Sequence, residues 1–149
     1  MIRLRRSTPQ DGLRVMAIWR SAVDATHDFL LPDDRAAIEA ELAAFLPTAP
    51  LWLAIDADDK ALAFMLLDGE KMEALFVAPE ARGIGVGKAL VRHALQSHAG
   101  LTTDVNAQNE QAVGFYERMG FERIGRSQLD AQGRPYPLIH LRHAARTQT

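Results

Sequence analysis

Apolar residues recur along the first third of the chain in patterns that predict one strand and two helices. Residues 2–5 alternate between apolar and polar side chains, as expected for a strand with one buried face. A helix follows, because apolar residues then recur at steps of three and four. The residues of its apolar face are Leu13, Met16, Trp19 and Val23. A second helix is predicted over residues 35–45, after an irregular segment at 25–34.

Three apolar runs in the middle of the chain predict an antiparallel β-meander. They span residues 51–55, 62–67 and 72–77, and a short polar turn joins each run to the next. Turns this short connect strands that run in opposite directions.

The second half of the chain predicts a long helix, a strand, a short helix and a hairpin. The long helix begins near residue 86, and a strand at 101–105 follows it. A short helix is predicted at 112–119, and strands at 121–129 and 137–141 form the hairpin. Neighbouring strands joined through a helix run parallel. The sequence therefore predicts an α+β fold with the order βααβββαβαββ and a mixed, mostly antiparallel sheet.

Composition and charge narrow the classes of function. The chain has 149 residues, of which 48% are hydrophobic, with a formal net charge of −2 and no cysteine. The charge balance argues against a nucleic-acid partner, and the lack of cysteine excludes disulfides and cysteine-ligated zinc. The longest apolar run, residues 61–67, is too short to span a membrane, and we expect no secretion signal. We expect a soluble, cytoplasmic protein with one domain at residues 1–143, a polar tail at 144–149, and no metal or membrane partner.

The stretch that carries chemistry runs from a predicted strand through a glycine-rich loop into the long helix. Gly83, Gly85 and Gly87 occupy alternate positions, with Arg82 and Lys88 on either side. Glycines allow the backbone to approach a ligand closely, and free N–H groups at the start of a helix point towards an anion. Three glycines with two flanking cations exceed what a tight turn requires, so we predict a bound phosphate or pyrophosphate.

Two common nucleotide-binding motifs do not fit this loop. A P-loop requires a glycine where the chain has Arg82, and a serine or threonine where it has Ala89. The dinucleotide fingerprint requires its third glycine where the chain has Lys88 or Leu90, depending on the starting glycine. The preceding meander is also unlike the first unit of a dinucleotide-binding fold.

Two motifs together resemble the GNAT family of N-acetyltransferases. The loop Arg82-Gly83-x-Gly85-x-Gly87 is similar to the acetyl-CoA pyrophosphate loop of that family. The stretch at 109–121 is similar to the family segment N-x-x-A-x-x-F-Y-x-x-x-G-F, and the predicted order of elements matches as well. The resemblance implies acetyl-CoA as co-substrate and a central pair of strands, 72–77 and 101–105, that splays apart around the pantetheine arm. It also implies direct acetyl transfer to a primary amine of a small molecule or peptide.

The resemblance further implies which residues bind acetyl-CoA. The backbone of the strand that ends at residue 77 pairs with the pantetheine amides, and Asn109 hydrogen-bonds the same arm through its side chain. The residues expected along this arm are Leu75, Phe76, Val77, Asn109, Ala112, Phe115 and Tyr116. The residues expected to hold the pyrophosphate are Arg82, Gly83, Ile84, Gly85, Val86, Gly87 and Lys88.

Acetyl transfer from a thioester to an amine requires a proton acceptor for the amine and a proton donor for the departing thiolate. Tyr116 matches the family tyrosine that donates its phenol proton to the thiolate. The base is open among Glu73 on the third meander strand, Asp104 on the next strand, and His27 in the irregular segment. A chain of water molecules without a dedicated base is a fourth alternative.

The acceptor side is expected to involve residues 25–34 and the final turn at 130–136. Acidic and aromatic side chains in these segments would attract and surround an ammonium group. The candidate acceptor-binding residues are Trp19, Asp28, Phe29 and Tyr136. The identity of the amine stays open, as does the choice between monomer and homodimer. Two competing functions are a non-catalytic acyl-CoA-binding module of the same fold and a structural protein whose glycine loop is only a turn.

Overall fold

The computed structural model of the chain describes residues 2–26 and 29–144. Within them, the four α-helices are α1 (Gly12–Thr26), α2 (Pro32–Phe45), α3 (Val86–Ser97) and α4 (Glu110–Arg118). The strands are β1 (Arg3–Arg6), β2 (Trp52–Ile55), β3 (Ala61–Asp68), β4 (Lys71–Val77), β5 (Thr102–Asn106), β6 (Phe121–Ser127) and β7 (Leu138–His143). Short 3₁₀ helices lie at Pro9–Asp11, Leu46–Thr48 and Pro79–Ala81.

The strands form a mixed sheet in the order β1-β2-β3-β4-β5-β7-β6. β4 and β5 are parallel, whereas β1 with β2, β2 with β3, β5 with β7 and β6 with β7 are antiparallel. The parallel register comprises only two residue pairs, Lys71 with Thr102 and Met72 with Thr103. Both strands continue beyond these pairs, as a splayed pair requires. The predicted fold class, element order and central strand pair are confirmed.

The described residues group into two compact units. The first comprises residues up to 66 together with 74–92, and the second comprises 67–73 together with the residues from 93 onwards. β3, β4 and α3 therefore contribute to both units. The assignment of residues 1–143 to one domain stays a prediction.

The core of the first unit is built from α1 and the meander strands. Val15, Ile18 and Trp19 of α1 are at most 2% exposed, and Leu53 of β2 and Phe64 of β3 are fully buried. Burying an apolar side chain of this size contributes about 1.5–3 kcal/mol. The predicted place of Trp19 on the apolar face of α1 is therefore confirmed.

Two apolar residues of the first unit are more exposed to solvent than predicted. Leu13 is 90% exposed, although its helical spacing predicts a place on the buried face of α1. The buried arc of that helix ends at Met16, and Leu13 lies about 60° beyond it around the helix axis. Trp52, which lies in the apolar run at residues 51–55, is half-buried, and the guanidinium of Arg6 lies 4.4 Å from its ring centroid.

A capping box lies at the start of the 3₁₀ helix Pro9–Asp11, which leads directly into α1. Asp11 Oδ2 accepts a hydrogen bond from the backbone N–H of Thr8 at 2.8 Å, which completes a capping box. Both terminal nitrogens of the Arg5 guanidinium also donate to this carboxylate at 3.0 Å. The Arg5 hydrogen bonds hold the pKa of Asp11 below its usual value, so this contact stabilises the fold above the unfolded pKa and is lost as the pH falls through the lower folded one.

The irregular segment predicted at 25–34 is shorter in the structure than the sequence pattern predicts. α1 continues to Thr26, and α2 already begins at Pro32, three residues before the predicted start. Proline lacks an N–H that the first turn of a helix does not need, so Pro32 starts this helix rather than breaking the chain. Asp33 and Asp34 lie in the first turn of α2, where carboxylates interact favourably with the helix dipole.

The core of the second unit forms between α4 and the strands β5, β6 and β7. Val113 and Tyr116 are the buried residues of α4. Val105 of β5, Phe121 of β6 and Leu141 of β7 are each at most 7% exposed. The register of β5 with β7 is continuous over five residue pairs, so this part of the sheet is well defined.

No helix within the described part of the chain is both long and apolar enough to cross a membrane. Residues 2–26 and 29–144 also contain no group of three or more metal-binding side chains positioned to hold an ion.

Candidate active site

The glycine-rich loop connects β4 to α3 in the first unit. Gly83 and Gly85 have φ values of +81° and +87°, in the left-handed region that favours glycine. A Cβ atom added to either residue would meet no atom within 4 Å. Packing therefore does not require these glycines. The backbone conformation requires them, and the space beside them is open to a ligand.

The loop ends at the N-terminus of α3, where backbone donors are free to bind an anion. The N–H of Ala89 donates to Gly85 O at 2.9 Å, which closes the first turn of the helix. The amides of the preceding residues have no acceptor inside the helix, and the helix dipole adds positive potential there. The side chain of Val86 is buried and anchors the turn, whereas Arg82 and Lys88 are exposed beside it. This arrangement suits a phosphate or pyrophosphate.

The end of β4 is held in place within the first unit. The ring of Phe76 stacks on Phe64 with 5.5 Å between centroids, and the N–H of Ala78 donates to Leu62 O at 2.8 Å. Leu75 and Val77 are half-buried. The backbone expected to pair with pantetheine thus belongs to a fixed strand end.

Tyr116 is buried in the second unit and keeps its phenol proton. Burial raises the pKa of the Tyr116 phenol, and a hydrogen bond with Thr103 offsets only part of this effect. Thr103 Oγ1 donates its own proton to Met72 O at 2.9 Å. The phenol is therefore neutral at physiological pH, which a general acid requires.

Aromatic neighbours fix the ring of Tyr116. Phe115 and Phe121 make edge-on contacts with it, at centroid distances of 5.1 Å and 5.4 Å. Asn109 caps the same helix, because its side-chain oxygen accepts from the N–H of Ala112 at 3.2 Å. The side-chain amide nitrogen of Asn109 takes no part in this hydrogen bond. The expected bond from Asn109 to pantetheine stays a prediction.

Two of the three candidate bases share one lysine in the second unit. Lys71 Nζ lies 3.0 Å from Asp104 Oδ2 and 3.7 Å from Glu73 Oε1. His140 Nδ1 lies 2.6 Å from the other oxygen of Asp104. Burial alone would raise the pKa of Asp104, but its hydrogen bonds with His140 and Lys71 outweigh this and lower it. Asp104 is therefore a charged anchor and a weak proton acceptor.

The remaining predicted site residues differ in accessibility. His27 and Asp28 lie outside the described residues. Trp19 and Tyr136 are 2% and 5% exposed, and Phe29 is half-buried. Their role in acceptor binding stays a prediction.

Three residues that contact the predicted site residues belong to no recognisable sequence motif. They are Lys71, Thr103 and His140. Strand alternation in β5 does place Thr103 on the buried face and Asp104 on the other, so a signal for Thr103 exists in the sequence. The pairing of Asp104 with His140 depends on the register of β5 with β7, which no local pattern encodes.

A family model for an acetyltransferase (GNAT) domain matches residues 25–136. The chain belongs to the GNAT acetyltransferase family. It is 55% identical to peptidyl-lysine N-acetyltransferase YjaB of Salmonella typhimurium over 141 residues, which cover 95% of this chain and 97% of the relative. The solution structure of apo-form YjaB from Escherichia coli matches with a TM-score of 0.93 and 50% identity, over 98% of this chain and 99% of that one.

A more distant structure contains bound coenzyme A. The PaiA N-acetyltransferase of Thermoplasma acidophilum, in complex with coenzyme A, shares the fold with a TM-score of 0.74 at 16% identity, over 97% of this chain and 99% of that one. The prediction of an N-acetyltransferase of this family is confirmed. This GNAT protein is an enzyme that transfers an acyl group from coenzyme A to an amine.

Proposed function

We propose that this enzyme acetylates the side-chain amine of lysine residues in peptides or proteins. The observation that carries the proposal is its 55% identity, over 95% of the chain, to a relative named for peptidyl-lysine acetylation. The second unit offers support, because the ammonium of Lys71 already lies between the carboxylates of Glu73 and Asp104. Its hydrogen bond with Asp104 raises the pKa of Lys71 and keeps it charged. With two carboxylates to one ammonium, this cluster keeps a negative charge that would attract the ammonium of a substrate lysine.

Acetyl-CoA is the donor in this proposal, with its pyrophosphate on residues 82–88. Support comes from the free amides at the start of α3, the left-handed glycines and the two exposed cations. The charge of the ligand matches the positive potential of this loop.

Glu73 is the general base that we propose, and Tyr116 the general acid. The side chain of Glu73 is 39% exposed, and its Oε1 lies 3.7 Å from Lys71 Nζ. Both oxygens of Asp104, in contrast, already have partners, which are Lys71 and His140. Glu73 first takes a proton from the lysine ammonium, and the neutral amine then attacks the thioester carbon, so that the N–C bond forms and the C–S bond breaks. The phenol proton of Tyr116 passes to the thiolate of coenzyme A, and the second proton lost by the nitrogen returns through solvent to the phenolate.

A coenzyme A release assay with acetyl-CoA tests the lysine acceptor. The substrates are two pools of peptides with blocked N-termini and randomised flanks, one with a central lysine and the other with arginine at that position. We expect turnover with the lysine pool alone, and a Glu73→Gln variant with kcat lowered about 100-fold. Equal release with both pools, or turnover only with free N-terminal amines, would show that the acceptor is not peptidyl lysine.

A further inference from the structure

A serine, a histidine and an aspartate from three strands of the second unit form one hydrogen-bonded row. Ser127 Oγ, at the end of β6, lies 2.6 Å from His140 Nε2. His140 Nδ1, on β7, lies 2.6 Å from Asp104 Oδ1 on β5. The acetyl-transfer mechanism above uses neither Ser127 nor His140.

The sheet register brings these side chains together on one face. Asp104 pairs directly with His140, and Gly125 of β6 is the partner of His140 on the other side. Ser127 lies two residues after Gly125 and thus on the same face. A Cβ atom on Gly125 would lie 3.4 Å from His140 Cδ2, in van der Waals contact, so a side chain larger than alanine at this position would crowd the imidazole.

The proton positions along the row follow from its charges. Lys71 Nζ, 3.0 Å from Asp104 Oδ2, keeps this carboxylate ionised, so it can only accept hydrogen bonds. His140 Nδ1 must therefore be the donor to Asp104. In the neutral imidazole this leaves Nε2 as an acceptor, and Ser127 donates its hydroxyl proton to it. This is the arrangement in which a histidine, oriented by a carboxylate, takes the proton of a serine nucleophile.

Solvent reaches the row. The side chains of His140 and Asp104 are 30% and 26% exposed, and Ser127 is half-buried. A small acyl donor can therefore approach the Ser127 hydroxyl without a rearrangement of the core.

We propose that Ser127 is an acylation site, activated by His140 and Asp104, that accepts short acyl groups from activated esters or thioesters. Ser127 Oγ attacks the carbonyl carbon, the Oγ–C bond forms, and the bond from carbon to the leaving oxygen or sulfur breaks. The hydroxyl proton passes to His140 Nε2 and from there to the leaving group. Water then hydrolyses the acyl-serine, with His140 again as the base. This activity goes beyond amine acetylation and needs neither acetyl-CoA nor a lysine acceptor.

The probe is p-nitrophenyl acetate, with release of p-nitrophenolate followed by absorbance and the acetyl group located by mass spectrometry of the digested protein. We expect acetyl on Ser127 and a release of p-nitrophenolate that Ser127→Ala abolishes. His140→Gln slows the release about 100-fold, because the serine then lacks its base. Gly125→Val slows it too, because a larger side chain displaces the imidazole.

Ser97→Ala is the matched control, since Ser97 is an exposed serine at the end of α3. It leaves the rate unchanged. Melting curves of each variant verify that the fold is kept. A wild-type protein with no acetyl on Ser127 and no Ser127-dependent release overturns the proposal, and so does an unchanged rate in His140→Gln. The lysine-peptide assay is separate, so failure here leaves the proposed acceptor untouched.

Discussion

Replacing Tyr116 with phenylalanine lowers kcat about 10-fold or more and leaves the affinity for acetyl-CoA nearly unchanged. The phenol is neutral because burial raises the pKa of Tyr116, so in the wild-type enzyme its proton is available to the leaving thiolate. Phenylalanine keeps the edge-on contacts with Phe115 and Phe121 and removes only the proton donor. Steady-state kinetics with a lysine peptide gives kcat, and calorimetry with acetyl-CoA gives the dissociation constant.

Two Thr103 variants separate proton donation from packing. Thr103→Ser keeps the hydroxyl that hydrogen-bonds Tyr116 and donates to Met72 O, whereas Thr103→Val removes it. We expect the serine variant to resemble wild type and the valine variant to lower kcat, because its phenol has lost the partner that orients it. An unchanged kcat in Tyr116→Phe would remove the assignment of Tyr116 as general acid.

Changing Gly85 to valine weakens acetyl-CoA binding about 10- to 100-fold, because one amide–phosphate hydrogen bond worth about 1.5–3 kcal/mol is lost. Gly85 has a φ of +87°, which a β-branched residue adopts only under strain. The new side chain also fills the open space where the diphosphate would approach.

Gly69→Val is the matched control for this loop. Gly69, in the turn between β3 and β4, also has a positive φ, of +60°, and open space beside it. The control variant carries similar backbone strain but lies outside the predicted pyrophosphate loop, so calorimetry should give the wild-type affinity for acetyl-CoA. Equal loss of affinity in both variants would mean that strain alone, and not the loop, explains the effect.

The fold is largely predictable from the sequence because its signals are local. The turns of the meander, the capping box at Asp11 and the glycine loop are each encoded within a few residues. The predictions fail at residues whose type or spacing is compatible with two different structures. Pro32 has the character of a helix breaker and instead starts α2, and Leu13 continues a helical spacing whose buried arc ends before it.

The candidate site is predictable only in part, because several of its contacts join distant residues. Tyr116 and the glycine-rich loop at residues 82–88 belong to recognisable sequence motifs. The contacts of Thr103 with Tyr116, and of His140 with both Asp104 and Ser127, depend on strand register and helix packing. Alternation along a strand shows which face a side chain occupies, but not which residue lies opposite.

In this account, binding of acetyl-CoA depends on the backbone amides between β4 and α3, which hold its diphosphate. Titration of the ¹⁵N-labelled protein with coenzyme A, followed by the amide resonances of residues 82–88, tests this cradle most directly. We predict that these resonances move with saturable shifts, and that pantetheine, which lacks the diphosphate, leaves them in place. Coenzyme A binding that leaves the resonances of residues 82–88 unmoved would contradict the assignment of this loop.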